Sequence, residues 1–296
     1  MLILVTGGSG FIGSHLCRLL IEKGHEVRVL DLVEPKAPGV DYVQGDVRSF
    51  DDAAKSMKGV DAVVHLAALI SVDESVRKPA DYHATNVTGS LNVMRACIVG
   101  GVRRFVYTSS AAVYGNPSSL PLREDSPAAP ISPYGATKLA PELYAGAFHA
   151  SYGLSPIVLR LFNVYGPGQA LNDYSGVITR FIENARAGRS PVIFGDGQQS
   201  RSFINVRDVS AAIYLAVTSR IAFGTFNIAS KGPITINDLA RMTLSAAGRN
   251  DLLPVHQDPR PGDITHSYAD TSKAQLVLGF EPKVGLDEGL NELLKR

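Results

Sequence analysis

The segment TGGSGFIG at residues 6–13 decides the fold, because it places glycines at positions 7, 10 and 13 between an apolar strand and an amphipathic helix. In such a segment the first glycine permits a tight turn, the second lets backbone approach a pyrophosphate, and the third lets helix and strand pack closely. The helix N-terminus then presents oriented N–H donors to an anion. We therefore predict a dinucleotide-binding site formed by Gly7, Gly10, Phe11, Ile12 and Gly13.

Apolar runs rich in β-branched residues alternate with helical segments around and beyond this stretch. The predicted strands are residues 2–6, 26–31, 62–67, 104–109 and 157–162, and the predicted helices are residues 14–23, 50–58, 82–99 and 136–152. Most of the runs are almost continuously apolar, which is typical of strands covered on both faces. The alternation predicts an α/β fold, a Rossmann-type doubly wound parallel sheet.

The pattern changes after about residue 163, where Gly- and Pro-rich loops separate shorter elements. We expect a dinucleotide-binding domain over residues 1–165 and a smaller C-terminal α/β substrate domain over residues 166–296. The chain is expected to return to the first domain around residues 203–228. Residues 286–294 are predicted to form a short amphipathic helix.

The composition excludes several classes of protein. With 29 basic and 28 acidic residues among 296, the net charge of +1 gives no general attraction to nucleic acid or to an anionic membrane. There is no apolar run of about 18 residues and no signal-peptide pattern, so we expect no membrane span. Cys17 and Cys97 favour two buried thiols in a reducing compartment over a disulfide or a catalytic thiol. These features predict a cytoplasmic protein.

Asp31 ends the second apolar run, 18 residues after Gly13. A carboxylate there accepts hydrogen bonds from the adenosine ribose hydroxyls and repels a 2′-phosphate, so NAD is favoured over NADP. The alternative is that Asp31 is an ordinary turn residue. Asp46 and Val47, after the next apolar run, are predicted to bracket the adenine.

Tyr134 and Lys138 are four residues apart, so in a helix both project from one face. A phenol with a pKa near 10 is a poor base at neutral pH, and a nearby ammonium favours the phenolate. Ser110 closes an apolar strand at the sheet edge where ligands bind, and it is predicted to hydrogen-bond the substrate hydroxyl that Tyr134 deprotonates. A strand-end capping role for Ser110 is the alternative. We predict Ser110, Tyr134 and Lys138 as the catalytic residues.

The sequence resembles the extended short-chain dehydrogenase/reductase family, in its nucleotide-sugar epimerase/dehydratase branch. The matching segments, in family order, are TGGSGFIGSHL from residue 6, DV at 46–47, HLAA at 65–68, NVTGSLNV from 86, TSSAAVYG from 108, SPYGATK from 132 and LRLFNVYGPG from 159. The resemblance implies an NAD cofactor and a homodimer paired through the helices at 82–99 and 136–152. It extends the cofactor site to Leu66, Ala67, Ala68, Asn86, Ser109, Tyr134 and Lys138.

Members of this branch remove a hydride from sugar C4 and differ in the fate of the resulting 4-keto sugar. The dehydratases carry an Asp-Glu pair directly after the strand-end hydroxyl residue, whereas here Ala111 and Ala112 follow Ser110. Alanines exchange no protons, so hydride return is the expected fate of a 4-keto intermediate. The resemblance therefore implies a 4-epimerase acting on UDP-glucose and UDP-galactose. Alternatives are a 4-reductase, dehydrogenase or dehydratase of the same branch, or a non-catalytic NAD-binding regulatory protein.

The resemblance also implies a site for the nucleotide sugar. Asn163, Arg201 and Arg260 match residues that contact the diphosphate, and Asp263 is placed to take a ribose hydroxyl. For each arginine a surface salt bridge is the alternative. Residues 174–181 match the segment that covers the uridine ring. Gly176 and Val177 are the predicted contacts within it.

Ser267 matches the position that lies against the C2 substituent of the sugar. A small side chain leaves room there, so N-acetylated UDP-hexosamines are expected as further substrates. Ile70 stands where some family epimerases have a lysine that reaches the cofactor phosphates, which predicts weaker retention of NAD. His65 is interpreted as a strand residue rather than an acid or base. No metal site is expected, because the histidines show no ligand spacing.

Overall fold

A computed structural model describes residues 1–169, 176–259 and 264–295 of the chain. The strands are β1 Leu2–Thr6, β2 Glu26–Asp31, β3 Asp41–Gln44, β4 Ala62–His65, β5 Arg104–Ser110, β6 Ser155–Leu161, β7 Asn163–Tyr165, β8 Val192–Phe194, β9 Ser200–Arg201, β10 Phe203–Asn205, β11 Gly224–Ile228, β12 Ile234–Thr235, β13 Val255–Gln257 and β14 His266–Ser267. The helices are α1 Phe11–Glu22, α2 Phe50–Ser56, α3 Val72–Arg77, α4 Pro79–Tyr82, α5 Gly89–Val99, α6 Pro133–Tyr152, α7 Val177–Arg186, α8 Val206–Thr218, α9 Ile236–Ala246 and α10 Leu286–Leu294.

A seven-stranded sheet forms the centre of the molecule, in the order β11-β6-β5-β4-β1-β2-β3. Every neighbouring pair in it is parallel. β1, β4, β5 and β6 are buried along most of their length because helices cover both faces. The predicted fold class, a Rossmann-type doubly wound parallel sheet, is confirmed.

Two apolar layers hold the helices to the sheet. On one face α1 and α8 pack together over residues that include Ile3, Val5 and Ile157. On the other face α2, α5 and α6 cover residues that include Leu4, Val63 and Phe105. Cys17 and Cys97 lie in these layers as free, buried thiols, so the disulfide alternative is excluded. Burial raises the pKa of the Cys17 thiol to about 12, which makes it unreactive.

Several predicted boundaries are wrong for local reasons. The strand predicted at 62–67 ends at His65, because the next residues leave the sheet to line a cleft. The helix predicted at 82–99 begins with Pro79 at its first position and is interrupted by a π-helical turn, His83–Thr88. The helix predicted from residue 136 begins at Pro133, where the Ser132 hydroxyl accepts a hydrogen bond from the Gly135 amide.

The smaller part of the structure is built on short strand pairs. β7 pairs with β10, β8 with β13, and β9 lies between β12 and β14. Its apolar cluster brings together α7, α9 and α10 through residues such as Phe181, Leu239 and Leu290. The chain crosses back to the large sheet through α8, which packs on α1, and β11, which is its seventh strand.

Candidate active site

The glycine-rich turn between β1 and α1 has a backbone that larger residues cannot adopt. Gly7 has φ of +72°, and a Cβ at this position would lie 2.7 Å from the Ala67 amide nitrogen. At Gly13 a Cβ would lie 2.3 Å from the Gly7 carbonyl oxygen, so this glycine lets the helix pack on the turn. Gly10, the N-cap of α1, makes no side-chain cap hydrogen bond. The first-turn amides of α1, which begins at Phe11, therefore have no side-chain cap, as the predicted pyrophosphate site at this helix terminus requires.

Asp31 is fixed at the end of β2 by two backbone donors. The Ser9 amide donates to Oδ2 at 3.0 Å and the Val33 amide donates to Oδ1 at 3.2 Å. A carboxylate has about four lone-pair sites, so acceptor capacity remains for hydroxyl donors. The bond from the Val33 amide, two residues further on, is also the one that a turn aspartate makes, so the role of Asp31 in binding the ribose stays a prediction.

A cleft of about 740 Å³ runs from the glycine-rich turn along the carboxyl ends of β1, β2 and β4. The predicted cofactor residues that line it are Gly7, Gly10, Asp31, Asp46, Val47, Leu66, Ala67 and Ala68. The Asp46 carboxylate pairs with the Arg48 guanidinium, and this hydrogen-bonded contact lowers the pKa of Asp46. The cleft also contains residues that the sequence did not indicate, among them Glu74, Lys78 and Thr85.

Asn86 lies behind this cleft rather than in its lining. Its side-chain amide accepts from the Leu69 amide at 2.8 Å and donates to the Leu69 carbonyl at 2.9 Å. It also donates to Thr137 Oγ1 at 3.0 Å. Because both N–H donors are used in this way, Asn86 joins the Ala67–Leu69 wall to α6.

Ser110, Tyr134 and Lys138 come together from two elements. Ser110 is the last residue of β5, and its Oγ accepts from the Ala112 amide at 3.2 Å, so it also caps the following 3-10 helix, Ala111–Tyr114. Tyr134 is the second residue of α6, and Lys138 lies one turn further on. The Ser110 hydroxyl lies near enough to the Tyr134 phenol to act on its pKa, in the lowering direction. The capping role of Ser110 is thus present in the structure, and its part in catalysis stays a prediction.

Burial dominates the ionisation of this centre. It raises the pKa of the Tyr134 phenol, against the opposing effect of the nearby Ser110 hydroxyl. It lowers the pKa of the Lys138 ammonium to about 7, although the Glu142 carboxylate acts in the other direction. The Lys138 Nζ lies 4.6 Å from the centre of the Tyr107 ring. A protonated Lys138 therefore lowers the free energy of unfolding of the protein.

His65 is held as a neutral strand residue. Its Nδ1 lies 2.6 Å from Thr6 Oγ1 and its Nε2 lies 2.9 Å from Ser90 Oγ. Burial, with the Lys138 charge as a second cause, lowers the pKa of His65 to about 3. An imidazole with this pKa and two hydrogen-bond partners is not available as an acid or base near neutral pH.

A second cleft, of about 700 Å³, lies between α3 and α7. Asn163, Gly176 and Val177 line it as predicted contacts of the nucleotide sugar. Ile70, which was expected near the cofactor phosphates, lines this cleft instead, and the lining residues that the sequence did not single out include Val72, Asp73, Arg180 and Gln257. Asn163 Nδ2 donates to the Ser202 carbonyl at 3.0 Å, and the amide oxygen of Asn163 takes no part in this bond.

Arg201 and Ser267, two further predicted substrate residues, are not among the residues that line this cleft. Arg201 and Ser267 are register partners on the parallel strands β9 and β14. The Arg201 guanidinium donates to the Ser200 and Thr265 carbonyls at 2.9 and 3.3 Å, and Ser267 is 9% exposed. Arg260 and Asp263 lie outside the described residues.

Comparison with known proteins identifies the family. A family model described as NAD dependent epimerase/dehydratase matches residues 3–229. This chain belongs to the NAD-dependent epimerase/dehydratase family.

Similar proteins extend this assignment over the full length. A putative UDP-glucose 4-epimerase from Methanocaldococcus jannaschii is 36% identical over 304 residues, which cover 99% of this chain and 97% of the relative. The structure of UDP-glucose 4-epimerase from Thermotoga maritima with UDP-glucose is 38% identical with a TM-score of 0.94, covering 100% of this chain and 98% of that one. A UDP-N-acetylglucosamine 4-epimerase from Methanobrevibacter ruminantium, in complex with UDP-N-acetylmuramic acid, is 38% identical with a TM-score of 0.93, covering 99% and 96%. The resemblance stated from the motifs is confirmed.

The residues present fit the NAD of this family. A Cβ at Gly7 would meet the Ala67 backbone at the edge of the cleft, so only glycine keeps this space open to a ligand. Asp31 lines the same cleft, where its carboxylate would repel a 2′-phosphate. Ser109, beside the reactive Ser110, has a buried Oγ without a hydrogen-bond partner among the described residues, as suits a group that meets a ligand amide. The predicted cofactor, NAD, is confirmed by the family assignment.

Two further findings concern the parts of the chain that the structure describes. Within residues 1–169, 176–259 and 264–295, no group of three or more His, Cys, Asp or Glu side chains is arranged to hold a metal ion. Among the same residues no helix combines the length and apolar character that crossing a bilayer requires.

Proposed function

We propose that this member of the family is a 4-epimerase that interconverts UDP-glucose and UDP-galactose through a transient 4-keto sugar. The observation that carries the proposal is the grouping of Ser110 with Tyr134 and, one helical turn further on, Lys138, with Ala111 and Ala112 directly after Ser110. These three residues line neither cleft, but α6 contacts α3, which contributes residues to both. Residues 1–165 would hold the cofactor and residues 166–296 the nucleotide sugar.

The residues of the centre have separate roles in this reaction. When bound, NAD would supply the hydride acceptor for C4 of the hexose and the hydride for the return step. Tyr134, as phenolate, accepts the proton of the 4-hydroxyl and gives it back when the hydride returns. Ser110 holds the same oxygen through its hydroxyl, and the Lys138 ammonium favours the phenolate. Hydride and proton both leave and both return, so the net reaction consumes no reductant.

Ala111 and Ala112 decide what the keto sugar can do. Loss of water across C5–C6 needs a base and an acid beside those carbons, and alanine supplies neither. A 4-keto sugar held by Tyr134 and Ser110 is therefore expected to take the hydride back at C4. If the keto sugar rotates in the site before the hydride returns, the hydride reaches the opposite face of C4 and the configuration there is inverted.

The substrate half of the proposal is supported by the second cleft for Asn163, Gly176 and Val177, and by the family resemblance for Arg201, Arg260 and Asp263. We propose that Asn163, Arg201 and Arg260 bind the diphosphate, Asp263 takes a ribose hydroxyl, and Gly176 and Val177 cover the uracil. The Thermotoga maritima relative was solved with UDP-glucose, which is consistent with this assignment.

Ser267 is proposed to leave room at C2 of the sugar. Its small, nearly buried side chain would admit an N-acetyl group, so UDP-GlcNAc and UDP-GalNAc are proposed as further substrates. The Methanobrevibacter ruminantium relative, named as a UDP-N-acetylglucosamine 4-epimerase, is consistent with this breadth.

We also propose a cytoplasmic homodimer. α5 and α6 expose large apolar side chains, namely Val99 at 74%, Leu143 at 69%, Tyr144 at 41% and Tyr152 at 60%. Covering such a surface with a second copy would remove it from water. The free cysteines support a reducing compartment. Light scattering at micromolar concentration should give twice the chain mass, and a monomer would contradict this proposal.

One assay tests the central claim. Purified protein is incubated with UDP-galactose and no added reductant, and the products are identified by NMR. Catalytic formation of UDP-glucose is expected, and Tyr134→Phe should abolish it while NAD binding persists. A 4-keto-6-deoxy product, or turnover that consumes added NADH stoichiometrically, would refute the epimerase in favour of a dehydratase or a reductase.

A further inference from the structure

α3 is a six-residue helix that lies between the two clefts. Its residues Val72 and Asp73 line the second cleft, and Glu74 lines the cofactor cleft. One short element therefore forms part of the wall of each ligand site. The side chain that follows Glu74, that of Ser75, is fully buried.

Ser75 completes the N-terminus of the helix that carries Tyr134. Pro133, the first residue of α6, has no N–H, and the Gly135 and Ala136 amides donate to the Ser132 hydroxyl and carbonyl at 3.1 and 3.0 Å. The Tyr134 amide donates instead to Ser75 Oγ, at 3.0 Å and across 59 residues of sequence. The partner of this amide is thus supplied by another element.

The orientation of the Ser75 hydroxyl is determined by its partners. A hydroxyl has one proton, and that of Ser75 is donated to the Val72 carbonyl at 2.6 Å. A lone pair is therefore presented to the Tyr134 amide, which only donates. The hydrogen bond between α3 and Tyr134 is therefore fixed in direction, and its acceptor belongs to a fully buried side chain.

A second contact reaches Tyr134 from the same side. The Tyr82 ring packs edge-on against the Tyr134 ring, with centroids 6.5 Å apart and an angle of 89°. The Tyr82 hydroxyl in turn accepts from the amide of Ser71, the N-cap of α3, at 2.9 Å, and donates to Glu74 Oε2 at 3.3 Å. Backbone and ring of Tyr134 are therefore both tied to α3.

We propose that Ser75 is a positioning residue for the proton transfer, and that through it α3 links occupation of the two clefts to the placement of Tyr134. The proposal rests on the assignment of Tyr134 as the base. Displacement of a reacting group by about 1 Å can cost on the order of 100-fold in rate. Loss of the Ser75 acceptor is therefore expected to lower kcat by roughly 10- to 100-fold and to change KM for the UDP-sugar by less than about threefold.

The variants separate the hydrogen bond from general stability. Ser75→Ala removes the acceptor and Ser75→Cys keeps the volume with a weak acceptor, whereas Ser75→Thr keeps the hydroxyl. Ser56→Ala is the matched control, because Ser56 is also fully buried and donates to a carbonyl three residues earlier, at 2.7 Å, in a short helix that does not carry the reactive centre. Each variant is assayed with bound NAD for kcat, KM and the pH dependence of kcat.

The expected result is a fall in kcat for Ser75→Ala, a smaller fall for Ser75→Cys, recovery in Ser75→Thr, and a kcat near that of the wild type for Ser56→Ala. The acidic limb of the kcat profile should move to higher pH in Ser75→Ala, because a displaced phenolate is less well stabilised. Wild-type kcat and an unshifted profile in both Ser75→Ala and Ser75→Cys would overturn the proposal.

A spectroscopic titration keeps this test independent of the proposed activity. Tyrosinate absorbance of the NAD-bound protein is recorded against pH, and the Tyr134 transition is identified by its absence in Tyr134→Phe. Ser75→Ala should raise that transition by about half a pH unit or more, and Ser56→Ala should leave it unchanged. An inactive wild type with this shift would refute the epimerase and retain the role of Ser75, whereas an unshifted transition would refute that role alone.

Discussion

Replacing Lys138 by methionine should stabilise the NAD-free protein while abolishing its proposed activity. Lys138 is 4% exposed, and burial lowers the pKa of its ammonium from 10.5 to about 7. The folded protein must therefore either hold a poorly solvated charge or give up a proton. Methionine keeps an unbranched side chain over the Tyr107 ring and removes the charge.

The sign and size of the effect are set by the two pKa values. Because the folded-state pKa is the lower one, the unfolded chain binds more protons than the folded one between about pH 7 and 10.5. The free energy of unfolding of the wild type therefore increases as pH rises through that window, because a smaller fraction of the folded protein holds the Lys138 charge. Relative to wild type, Lys138→Met should be more stable by roughly 4 kcal/mol at pH 7 and by roughly 2 kcal/mol at pH 9.

Urea unfolding followed by far-UV circular dichroism measures this difference, since the sequence has no tryptophan to report by fluorescence. Wild type and variant are compared at pH 7 and pH 9, so that contributions from all other titrating groups cancel. Lys58→Met, at an exposed lysine, is the matched control and should show no pH-dependent difference. The reasoning would be refuted by a difference for Lys138→Met that is equal at the two pH values, or by a variant less stable than wild type at pH 7.

Three further substitutions have defined outcomes. Ser267→Tyr should remove turnover of UDP-GalNAc and spare that of UDP-galactose in a coupled assay; a wild type that turns over only UDP-galactose would show that the small residue does not set substrate size. Gly7→Ala should lose NAD by calorimetry and lower Tm, because a side chain at positive φ costs about 1–2 kcal/mol and the new Cβ meets the Ala67 backbone at 2.7 Å. His15→Leu removes a 2.7 Å hydrogen bond from Nε2 to the Pro167 carbonyl, in the loop that follows Asn163. It should raise KM for the UDP-sugar about two- to tenfold; an unchanged KM would mean that this bond does not place the loop.

The sheet could be predicted from the sequence where strands are apolar on both faces. β1 and β2 have the predicted ends, because β1 is apolar from Leu2 to Val5 and β2 has apolar residues at 27, 29 and 30 between charged ones. β3, which reads Asp-Tyr-Val-Gln at the edge of the sheet, has no such run and was not predicted. The π-helical turn at His83–Thr88 has no local signal either, since it accompanies contacts of Asn86 with Leu69 and Thr137.

The site was predictable to the extent that its residues lie in contiguous segments. The cradle and Asp31 come from one β-α-β unit, and Tyr134 and Lys138 from one helical turn. Arg180 lies inside the segment predicted to cover the uracil, but its place in the cleft depends on how α7 is rotated. Ser75 could not be identified, because its role requires knowing which amide of a distant helix lacks a local partner.

The two alanines that follow Ser110 have a consequence for the origin of every hydrogen in the product. With no acid or base at Ala111 or Ala112 to exchange hydrogen at C3 or C5, those positions stay closed to solvent. In the proposed reaction the hydrogen at C4 leaves and returns within the site, and only the hydroxyl proton passes through Tyr134. A reaction run in heavy water should therefore give a sugar in which every carbon-bound hydrogen is protium. The absence of deuterium on carbon would show that the reaction proceeds without enolisation.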